Sequence, residues 1–362
     1  MSGTSSYRQL KASLVYPQAE ANLCFDASSP DNRDGSFAPL IALRKLLGSH
    51  GIELNTADLN AEGEVAFELH LNAHATQTPS PCYLLSLETP LIHPPNGDPK
   101  NWRKYRRIFT WDDTAIDNVK FVKINFPNTL AIPDVDGFRY RDRFCCIIAG
   151  NKSSAVIDDR ELYSERVQVI RWFERNAPSD FDLYGTDWDL PPAFPGRIGR
   201  VMEKASRLRN RYMPLGRPFP SYRGRVTAKK TVLSATRFSF CYENVQRLSG
   251  YVTEKIFDCF FSGCVPVYLG ADNIADHVPA DCFVDRRNFS DIADTYRYLK
   301  AMEEPTFRGF QERIASFLAS DAARPFSTAT FAQTIVDRII GDLQADGLIS
   351  PPQSGRQNFT TC

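Results

Sequence analysis

The hydrophobic positions in the first third of the chain fall into short blocks separated by polar loops. Four of these blocks have the length of β-strands: 13–16, 65–71, 81–87 and 108–111. After the first block, residues 37–47 place apolar side chains at helical spacing, and Gly51 then provides a stop signal. This alternation predicts a domain built of strands and helices.

The second part of the chain begins with a different pattern. Near Arg143 the run FCCIIA is continuously apolar, which is typical of a parallel strand covered on both faces. A segment with helical spacing follows and ends at Pro178, and FDLYG then resumes the strand pattern. Strand, helix and strand in this order predict a parallel sheet. The alternation continues to about Asp342.

Two regions interrupt these patterns. Residues 190–225 are rich in Pro, Gly and Arg, which predicts a long loop with a helix near 201–212. Residues 343–362 form a polar tail. The sequence therefore predicts an N-terminal α/β domain at 1–142 and a C-terminal α/β domain at 143–342, in keeping with a length of 362 residues.

Charge and composition narrow the class of protein. Of the residues, 43% are hydrophobic, as in a globular protein. Basic and acidic residues number 43 each, so the protein has no net positive charge that would attract nucleic acid. No stretch has the ~18 apolar residues of a membrane span, and the N-terminus lacks the pattern of a secretory signal. The nine cysteines lie in apolar runs without the spacing of a zinc site, which favours reduced core cysteines in a cytoplasmic protein.

Residues with potential chemistry concentrate in the segment 237–270. A strand pattern is followed by a loop, by a helix that opens near Thr253, and by a second strand that closes at Gly270. In open α/β sheets, ligands bind beyond the carboxyl ends of the strands and at the N-termini of the next helices. The residues in that position are Glu243, Asn244, Tyr251, Glu254 and Lys255.

The same residues also fit an ordinary helix start. Thr253 is a common N-cap, and the helix dipole alone favours an acidic residue in the first turn. With a nucleoside diphosphate sugar as ligand, Lys255 would offset the charge on the leaving phosphate, and Glu254 would accept hydrogen bonds from ribose hydroxyls. The residue types alone leave both interpretations open.

The order and spacing of this segment resemble a known family. YENVQRLSGYVTEKIFDCFFSGCVPVYLG is similar to the donor-binding motif of the family 10 fucosyltransferases, which reads F-E-N, a short spacer, Y-[IV]-T-E-K, then G-x-[VI]-P-[VI]. Weaker likeness extends to FCCIIAGNKSS and DLYGTDW, and before Arg143 only LETP and RIFTWDD resemble bacterial members. The resemblance implies a GT-B fold, in which two Rossmann-like domains face each other across a ligand cleft.

The resemblance also implies roles for individual residues. Tyr251, Glu254 and Lys255 would hold GDP-fucose, with Asn244 beside them. Many members carry an arginine for the diphosphate where this chain has Thr186, and Arg223 in the segment SYRGR is our candidate substitute, although a solvated loop arginine fits that position as well.

One acidic residue in the first domain is a candidate general base. The family places a glutamate in an E-x-P context after a strand, and YLLSLETP puts Glu88 in that context. Burial at the end of a strand would raise the pKa of such a carboxylate towards the working pH. His93 is the rival, because imidazole titrates nearest neutrality, and a solvated turn residue is the structural alternative for Glu88.

Two D-x-D patterns raise the question of a metal. They are Asp134-Val135-Asp136, in a Pro/Gly loop, and Asp187-Trp188-Asp189. Such a pair binds a divalent ion in another class of glycosyltransferase, but the pattern is short and common among solvated charges. Since the resemblance implies that cationic side chains and a helix N-terminus replace the metal, we expect no metal and no cofactor.

The sequence thus predicts a glycosyltransferase that moves L-fucose with inversion from GDP-fucose to a hydroxyl of an acceptor glycan. The acceptor would be an oligosaccharide or glycolipid, with α-1,3 linkage to GlcNAc or a similar sugar, as in lipopolysaccharide or capsule. By analogy the enzyme would be cytoplasmic, at most peripherally associated with the inner face of the membrane.

Two alternatives remain open. One keeps the fold and changes the nucleotide-sugar donor. The other is a glycan-binding homologue without catalytic activity, which the missing arginine at Thr186 favours and the intact Glu254 and Lys255 oppose.

Overall fold

The computed structural model describes residues 9–17, 20–61, 65–74, 79–154, 156–193 and 218–350, with a few single positions between 193 and 218. Half of the helix predicted near 201–212, and the end of the tail at 351–362, lie outside the described residues, and the described positions 201, 202, 204, 205, 208 and 209 are helical. No helix in the described part of the chain is long and apolar enough to cross a bilayer.

The N-terminal half forms a parallel sheet with the order β2-β1-β3-β4-β5-β6. Its strands are β1 (Leu10–Val15), β2 (Ile52–Thr56), β3 (Phe67–Leu71), β4 (Cys82–Ser86), β5 (Tyr105–Thr110) and β6 (Phe121–Lys123). Helix α1 (Ala38–Ser49) follows β1, and the short helix α2 (Pro99–Trp102) precedes β5. All five residues of β4 are buried, as expected for a central strand covered on both faces.

A second parallel sheet follows with the order β12-β11-β10-β7-β8-β9. Its strands are β7 (Arg143–Ile148), β8 (Phe181–Tyr184), β9 (Tyr222–Gly224), β10 (Thr236–Tyr242), β11 (Val265–Leu269) and β12 (Val284–Asp285). The associated helices are α3 (Tyr163–Asn176), α4 (Lys229–Leu233), α5 (Glu254–Phe261), α6 (Ile292–Ala301) and α7 (Glu304–Ala319).

The strand order of the second sheet marks where a ligand should bind. From β7 the chain moves outward to β8 and β9, and it then returns to the other side of β7 with β10, β11 and β12. The direction of winding therefore reverses between β7 and β10, and ligands of doubly wound sheets bind in the crevice beyond the carboxyl ends of the strands at such a point.

The last helix connects the two halves. Helix α8 (Thr328–Ala345) buries Phe331, Ile335 and Ile339 in the same hydrophobic core as Leu43 and Leu47 of α1. Residues 328–342, which the sequence pattern groups with the second domain, thus add their apolar face to the core of the first.

Candidate active site

A cavity of about 370 Å³ lies at the carboxyl ends of β7 and β10, and we call it the donor cavity. Its floor includes Ile148 at the end of β7 and Tyr242 at the end of β10. The charged side chains that line it are Lys152, Arg166, Lys229, Glu254, Lys255 and Asp258. The cavity therefore lies at the reversal point of the sheet, and it is rich in cations.

Helix α5 points its N-terminus at this cavity. Thr253 is the N-cap, and its hydroxyl accepts a hydrogen bond from the backbone N–H of Lys255 at 3.5 Å. The capping residue is itself held by Glu243, whose carboxylate accepts from the Thr253 N–H at 2.8 Å and from the Thr253 hydroxyl at 2.7 Å. The start of the helix is thus fixed from behind, with its positive end towards the cavity.

Glu243 and Lys255 form the main charge pair of the site. The Glu243 side chain is fully buried, and its Oε2 lies 3.2 Å from Nζ of Lys255, which also lies 3.8 Å from Oε1 of Glu254. Burial lowers the pKa of Lys255, but the two carboxylates outweigh it and raise the pKa. Lys255 is therefore a fixed positive charge, and Glu243 supports the cavity from behind without lining it.

Glu254 and Asp258 lie one turn apart on α5 and both line the donor cavity. Burial raises the pKa of Glu254, but Lys255 and Lys229 together lower it by more, so the pKa lies below its ordinary value. Nζ of Lys229 lies 2.7 Å from Asp258. Burial raises the pKa of Asp258 to about 6 in spite of this lysine.

Three cations of the cavity escaped the sequence analysis, namely Arg166, Lys152 and Lys229. Arg166 on α3 is 5% exposed, and its guanidinium donates to the carbonyls of Tyr242 and Glu243 at 2.8 and 2.6 Å and to Oδ1 of Asn244 at 3.0 Å. Its burial lowers its pKa. The ammonium of Lys152 is exposed and makes no hydrogen bond or ion pair within the described part of the chain.

Glu88 follows β4 at the carboxyl edge of the first sheet, opposite these cations. Burial raises its pKa, Lys255 and Lys152 lower it, and Glu254 raises it, with a net increase above the ordinary value. Its carboxylate makes no hydrogen bond or ion pair to other described residues. Glu88 is therefore a partly buried carboxylate with a raised pKa and free lone pairs, as a general base requires.

The backbone around Glu88 is held by side chains. Oδ1 of Asn72, a residue with φ of 62°, accepts from the N–H groups of Leu87 and Glu88 at 3.1 and 2.9 Å. Nδ2 of Asn96 donates to the same Oδ1 at 2.9 Å and to the carbonyl of Glu88 at 2.7 Å. Nε1 of Trp111 donates to the carbonyl of Leu87 at 2.9 Å. This network fixes the backbone conformation at Leu87 and Glu88, directly after β4.

Tyr251 lies between the two domains, not in the lining of the cavity. It is 1% exposed, and its ring packs against Trp111 at 4.8 Å and against Phe126 at 5.8 Å. The preceding Gly250 has φ of 82°, and a Cβ there would lie 2.3 Å from the carbonyl oxygen of Trp111. Burial and the nearby carboxylates, Glu243 first and Glu88 next, raise the pKa of Tyr251.

Other sequence candidates lie in different places. Asn244 lines the cavity and accepts from Arg166. Arg223 does not line it: its exposed side chain on edge strand β9 pairs with Asp182 on β8 at 2.6 Å, and its role at the diphosphate stays a prediction. Nε2 of His93 lies 2.8 Å from the carbonyl oxygen of Ala73, and its ring packs against that of His74 with the centroids 6.0 Å apart.

The acidic pairs considered for metal binding are used elsewhere. Oδ1 of Asp136 accepts from Arg141 at 3.1 Å and from Gln311 at 2.7 Å, and Asp187 lies 3.8 Å from Arg225. Among the described residues, Glu68, His70 and Cys82 form one cluster of metal-ligand type in the first domain. Both ring nitrogens of His70 already have partners, Glu68 at 2.8 Å and Tyr105 at 3.2 Å.

These features define the fold class of the protein. Two parallel α/β sheets, with a cationic cavity at the reversal point of the second sheet and a carboxylate opposite, form a GT-B glycosyltransferase fold. Over 94% of the chain this fold matches the crystal structure of an α1,3-fucosyltransferase with GDP, with a TM-score of 0.53, 13% identity and 93% of that chain covered. An α-glucosyltransferase in complex with UDP and DNA matches with a TM-score of 0.50 and 11% identity, over 91% of this chain and 99% of that one.

Sequence comparison finds its matches in the second half of the chain. Residues 213–310 match the family described as Glycosyltransferase family 10 (fucosyltransferase) C-term. An alpha-(1,3)-fucosyltransferase FucT of Helicobacter pylori is 40% identical over 77 residues, 20% of this chain and 16% of that protein. A bovine 4-galactosyl-N-acetylglucosaminide 3-alpha-L-fucosyltransferase 9 is 31% identical over 93 residues, 25% of each protein.

Residues 213–310 are therefore similar to the C-terminal region of glycosyltransferase family 10, as the resemblance in the sequence implied, and the predicted GT-B fold is confirmed. The matched part spans only about a sixth to a quarter of the length of these curated relatives.

Proposed function

We propose that this protein transfers L-fucose from GDP-fucose, with inversion, to a hydroxyl group of an acceptor glycan. The observation that carries the proposal is the juxtaposition of the cationic donor cavity with the free carboxylate of Glu88 across the cleft. The GDP moiety would occupy the donor cavity, and the acceptor hydroxyl would lie between the fucose and Glu88.

The cations of the cavity suit a diphosphate. Arg166 and Lys255 are held rigidly by their protein contacts, Lys152 is exposed beside them, and the N-terminus of α5 adds its partial charge. We assign Arg166 to the role first considered for Arg223. These charges would stabilise the negative charge that develops on the leaving GDP, so the reaction needs no metal ion.

Glu88 would act as the single base. Its carboxylate takes the proton of the acceptor hydroxyl while that oxygen bonds to C1 of fucose and the bond from C1 to the phosphate oxygen breaks on the opposite face. Glu254, which lines the cavity as an ionised carboxylate, would accept hydrogen bonds from the ribose hydroxyls of the donor.

The acceptor we propose is a glycan with a GlcNAc or similar residue, fucosylated by α-1,3 linkage, as in lipopolysaccharide or capsule precursors at the inner face of the membrane. The names of the relatives support this choice, since one of them acts on 4-galactosyl-N-acetylglucosaminides. The same fold with another nucleotide-sugar donor is the competing candidate.

The test is GDP release from GDP-fucose in the presence of EDTA, with N-acetyllactosamine and lipopolysaccharide-type acceptors. Glu88→Gln should lower acceptor-dependent release by about 100-fold or more and leave GDP affinity within about twofold, because the variant loses the base and not the donor site. Glu312→Gln, on the exposed surface of α7, is the matched control.

Three results would contradict parts of the proposal. Tighter binding of UDP than of GDP would assign another donor. Full activity in Glu88→Gln would remove Glu88 as the base. GDP binding without turnover on any acceptor would favour a glycan-binding protein without catalytic activity.

A further inference from the structure

A second cavity of about 250 Å³ opens between the two domains beside the donor cavity. We call it the Arg33 pocket and define it by Arg33, Asp34 and Thr328 on one side and Lys229, Asp258 and Phe261 on the other. Lys229, Glu254 and Asp258 line both cavities, so the two are adjacent.

The Arg33 pocket lies at the same edge of the first sheet as Glu88. Arg33 belongs to the loop that leads from β1 into α1, and Glu88 follows β4. In the sheet, β1 and β4 are separated only by β3. Two inter-strand spacings put the carboxyl ends of β1 and β4 about 10 Å apart, which is about the length of a disaccharide, and Glu254, whose charge acts on Glu88, lines the Arg33 pocket. A glycan with one sugar at Glu88 could therefore place the neighbouring sugar in this pocket.

Two polar groups of the pocket have no partner in the part of the chain that the structure describes. The exposed guanidinium of Arg33 makes no hydrogen bond or ion pair with any described residue. Oγ1 of Thr328 is buried and has no hydrogen-bond partner among the described residues. An unpaired buried hydroxyl is unfavourable unless a ligand satisfies it. Both groups can bond sugar hydroxyls.

The loop that carries Arg33 is held in a strained conformation. Asp34 has φ of 51°, in the left-handed region, and its Oδ1 accepts from the backbone N–H of Lys229 in the other domain at 3.1 Å. Backbone strain of this kind is concentrated at ligand sites. The contact also fixes the Arg33 loop relative to the donor cavity.

The charge of the pocket indicates the chemistry of its occupant. Two cationic side chains, Arg33 and Lys229, lie among three acidic ones, Asp34, Glu254 and Asp258, so the pocket offers both donors and acceptors and has no net positive charge. The partly buried ring of Phe261 adds an apolar face. This combination fits a neutral sugar, which has hydroxyl groups around its edge and C–H groups on its face.

We propose that the Arg33 pocket is an acceptor subsite that binds the neutral sugar next to the one that receives fucose. The inference rests on the proposed function for the identity of the glycan. It assigns to Arg33 and Thr328 a part in acceptor selection, separate from donor binding.

The test measures binding, so that it does not depend on turnover. The probes are N-acetyllactosamine and GlcNAc, titrated by NMR into the full chain saturated with GDP. Arg33→Ala should lower the affinity for the disaccharide at least fivefold and leave the affinities for GlcNAc and GDP within twofold of those of the wild type. Arg103→Ala, an exposed arginine on the same domain, is the control and should change none of the three.

Thr328→Val provides a second variant, since it removes a hydroxyl that has no protein partner and should leave stability unchanged while weakening the disaccharide. The proposal is overturned if the wild type binds the disaccharide no better than GlcNAc. It is also overturned if Arg33→Ala lowers the affinities for both sugars equally, lowers neither, or lowers the affinity for GDP. Arg33-dependent disaccharide binding without fucose transfer would instead contradict the proposed function alone.

Discussion

Nζ of Lys255 lies 3.2 Å from Oε2 of Glu243, a carboxylate with no exposed surface. The same carboxylate holds Thr253, the N-cap of α5, by two hydrogen bonds. One buried acid thus fixes both the helix N-terminus and the lysine that face the donor cavity. Glu243 is a positioning residue, and its effect on the ligand passes through Thr253 and Lys255.

Glu243→Gln tests this relationship. The amide keeps one acceptor for Thr253 but loses the charge that holds Lys255, so we expect GDP to bind about tenfold more weakly, or about 1.4 kcal/mol. The loss of a charged partner inside the protein should also lower the free energy of unfolding by about 1–3 kcal/mol. Calorimetric titration with GDP and urea unfolding measure the two effects.

The control for this prediction is Glu312→Gln, which changes an exposed glutamate on α7 in the same way. Unaltered GDP affinity in Glu243→Gln, together with reduced stability, would show that Glu243 supports the fold and not the ligand site.

Arg166→Lys tests the assignment of the diphosphate arginine. The planar guanidinium bonds two carbonyls and Asn244 from one nitrogen while it lines the cavity. A lysine is a single point charge that cannot reproduce this geometry, so we expect a loss of GDP affinity of about tenfold or more.

Two comparisons sharpen that experiment. Arg175→Lys makes the same change at an exposed position of α3 and should have no effect on GDP. Arg223→Ala should also leave GDP affinity unchanged, because Arg223 pairs with Asp182 outside the cavity. A loss of GDP affinity in Arg223→Ala, with no loss in Arg166→Lys, would restore Arg223 as the arginine that binds the diphosphate.

Asn96→Ala tests how Glu88 is positioned. Asn96 is 4% exposed and joins the carbonyl of Glu88, Oδ1 of Asn72 and the N–H of Ala73, the last at 2.7 Å. Without these bonds the segment after β4 can move, and misplaced catalytic groups cost large factors in rate. We expect kcat for fucose transfer to fall by about tenfold or more, with GDP affinity within about twofold.

Asn101→Ala is the matched control, because the side chain of Asn101 donates to the carbonyl of Pro95 in the neighbouring turn and not to Glu88. Equal losses of kcat in the two variants, or a parallel loss of GDP affinity in Asn96→Ala, would contradict a specific role in positioning Glu88.

The sequence predicted those parts of the fold that depend on local signals. The segment around α5 combines an N-cap, an apolar stripe and two flanking apolar runs, and the structure forms β10, α5 and β11 there. Strand β2 was missed because its alternation, Ile-Glu-Leu-Asn, covers only four positions and directly follows the stop signal at Gly51. The return of α8 to the first domain was missed because an apolar helix face does not specify which core it joins.

The site was harder to predict because it is assembled from distant segments. Arg166 comes from α3 and Lys229 from α4, and only the sheet order brings both to the switch between β7 and β10. Arg223 is close to Lys229 in the sequence, but it lies on an edge strand and faces Asp182. The pattern also could not separate Glu254, which lines the cavity, from Glu243, which lies behind it.

The Lys229–Asp258 pair gives the last prediction, which concerns pH and stability. The pKa of Asp258 is about 6 in the folded protein, against an ordinary value of 3.8. Between these values the folded state binds more protons than the unfolded state, so the contribution to stability is present at low pH and is lost as the pH rises through about 6. From pH 5 to pH 7.5 this loss should be about 1 kcal/mol.

Asp258→Asn removes the titrating group, so the difference in unfolding free energy between wild type and variant should change by that amount, in favour of the variant at the higher pH. Urea unfolding at several pH values measures it, and the difference cancels the titration of all other groups. Asp281→Asn, at a position 61% exposed, is the control and should show a flat difference. A flat difference for Asp258→Asn as well would mean that water, and not burial, sets the environment of this carboxylate in the cleft.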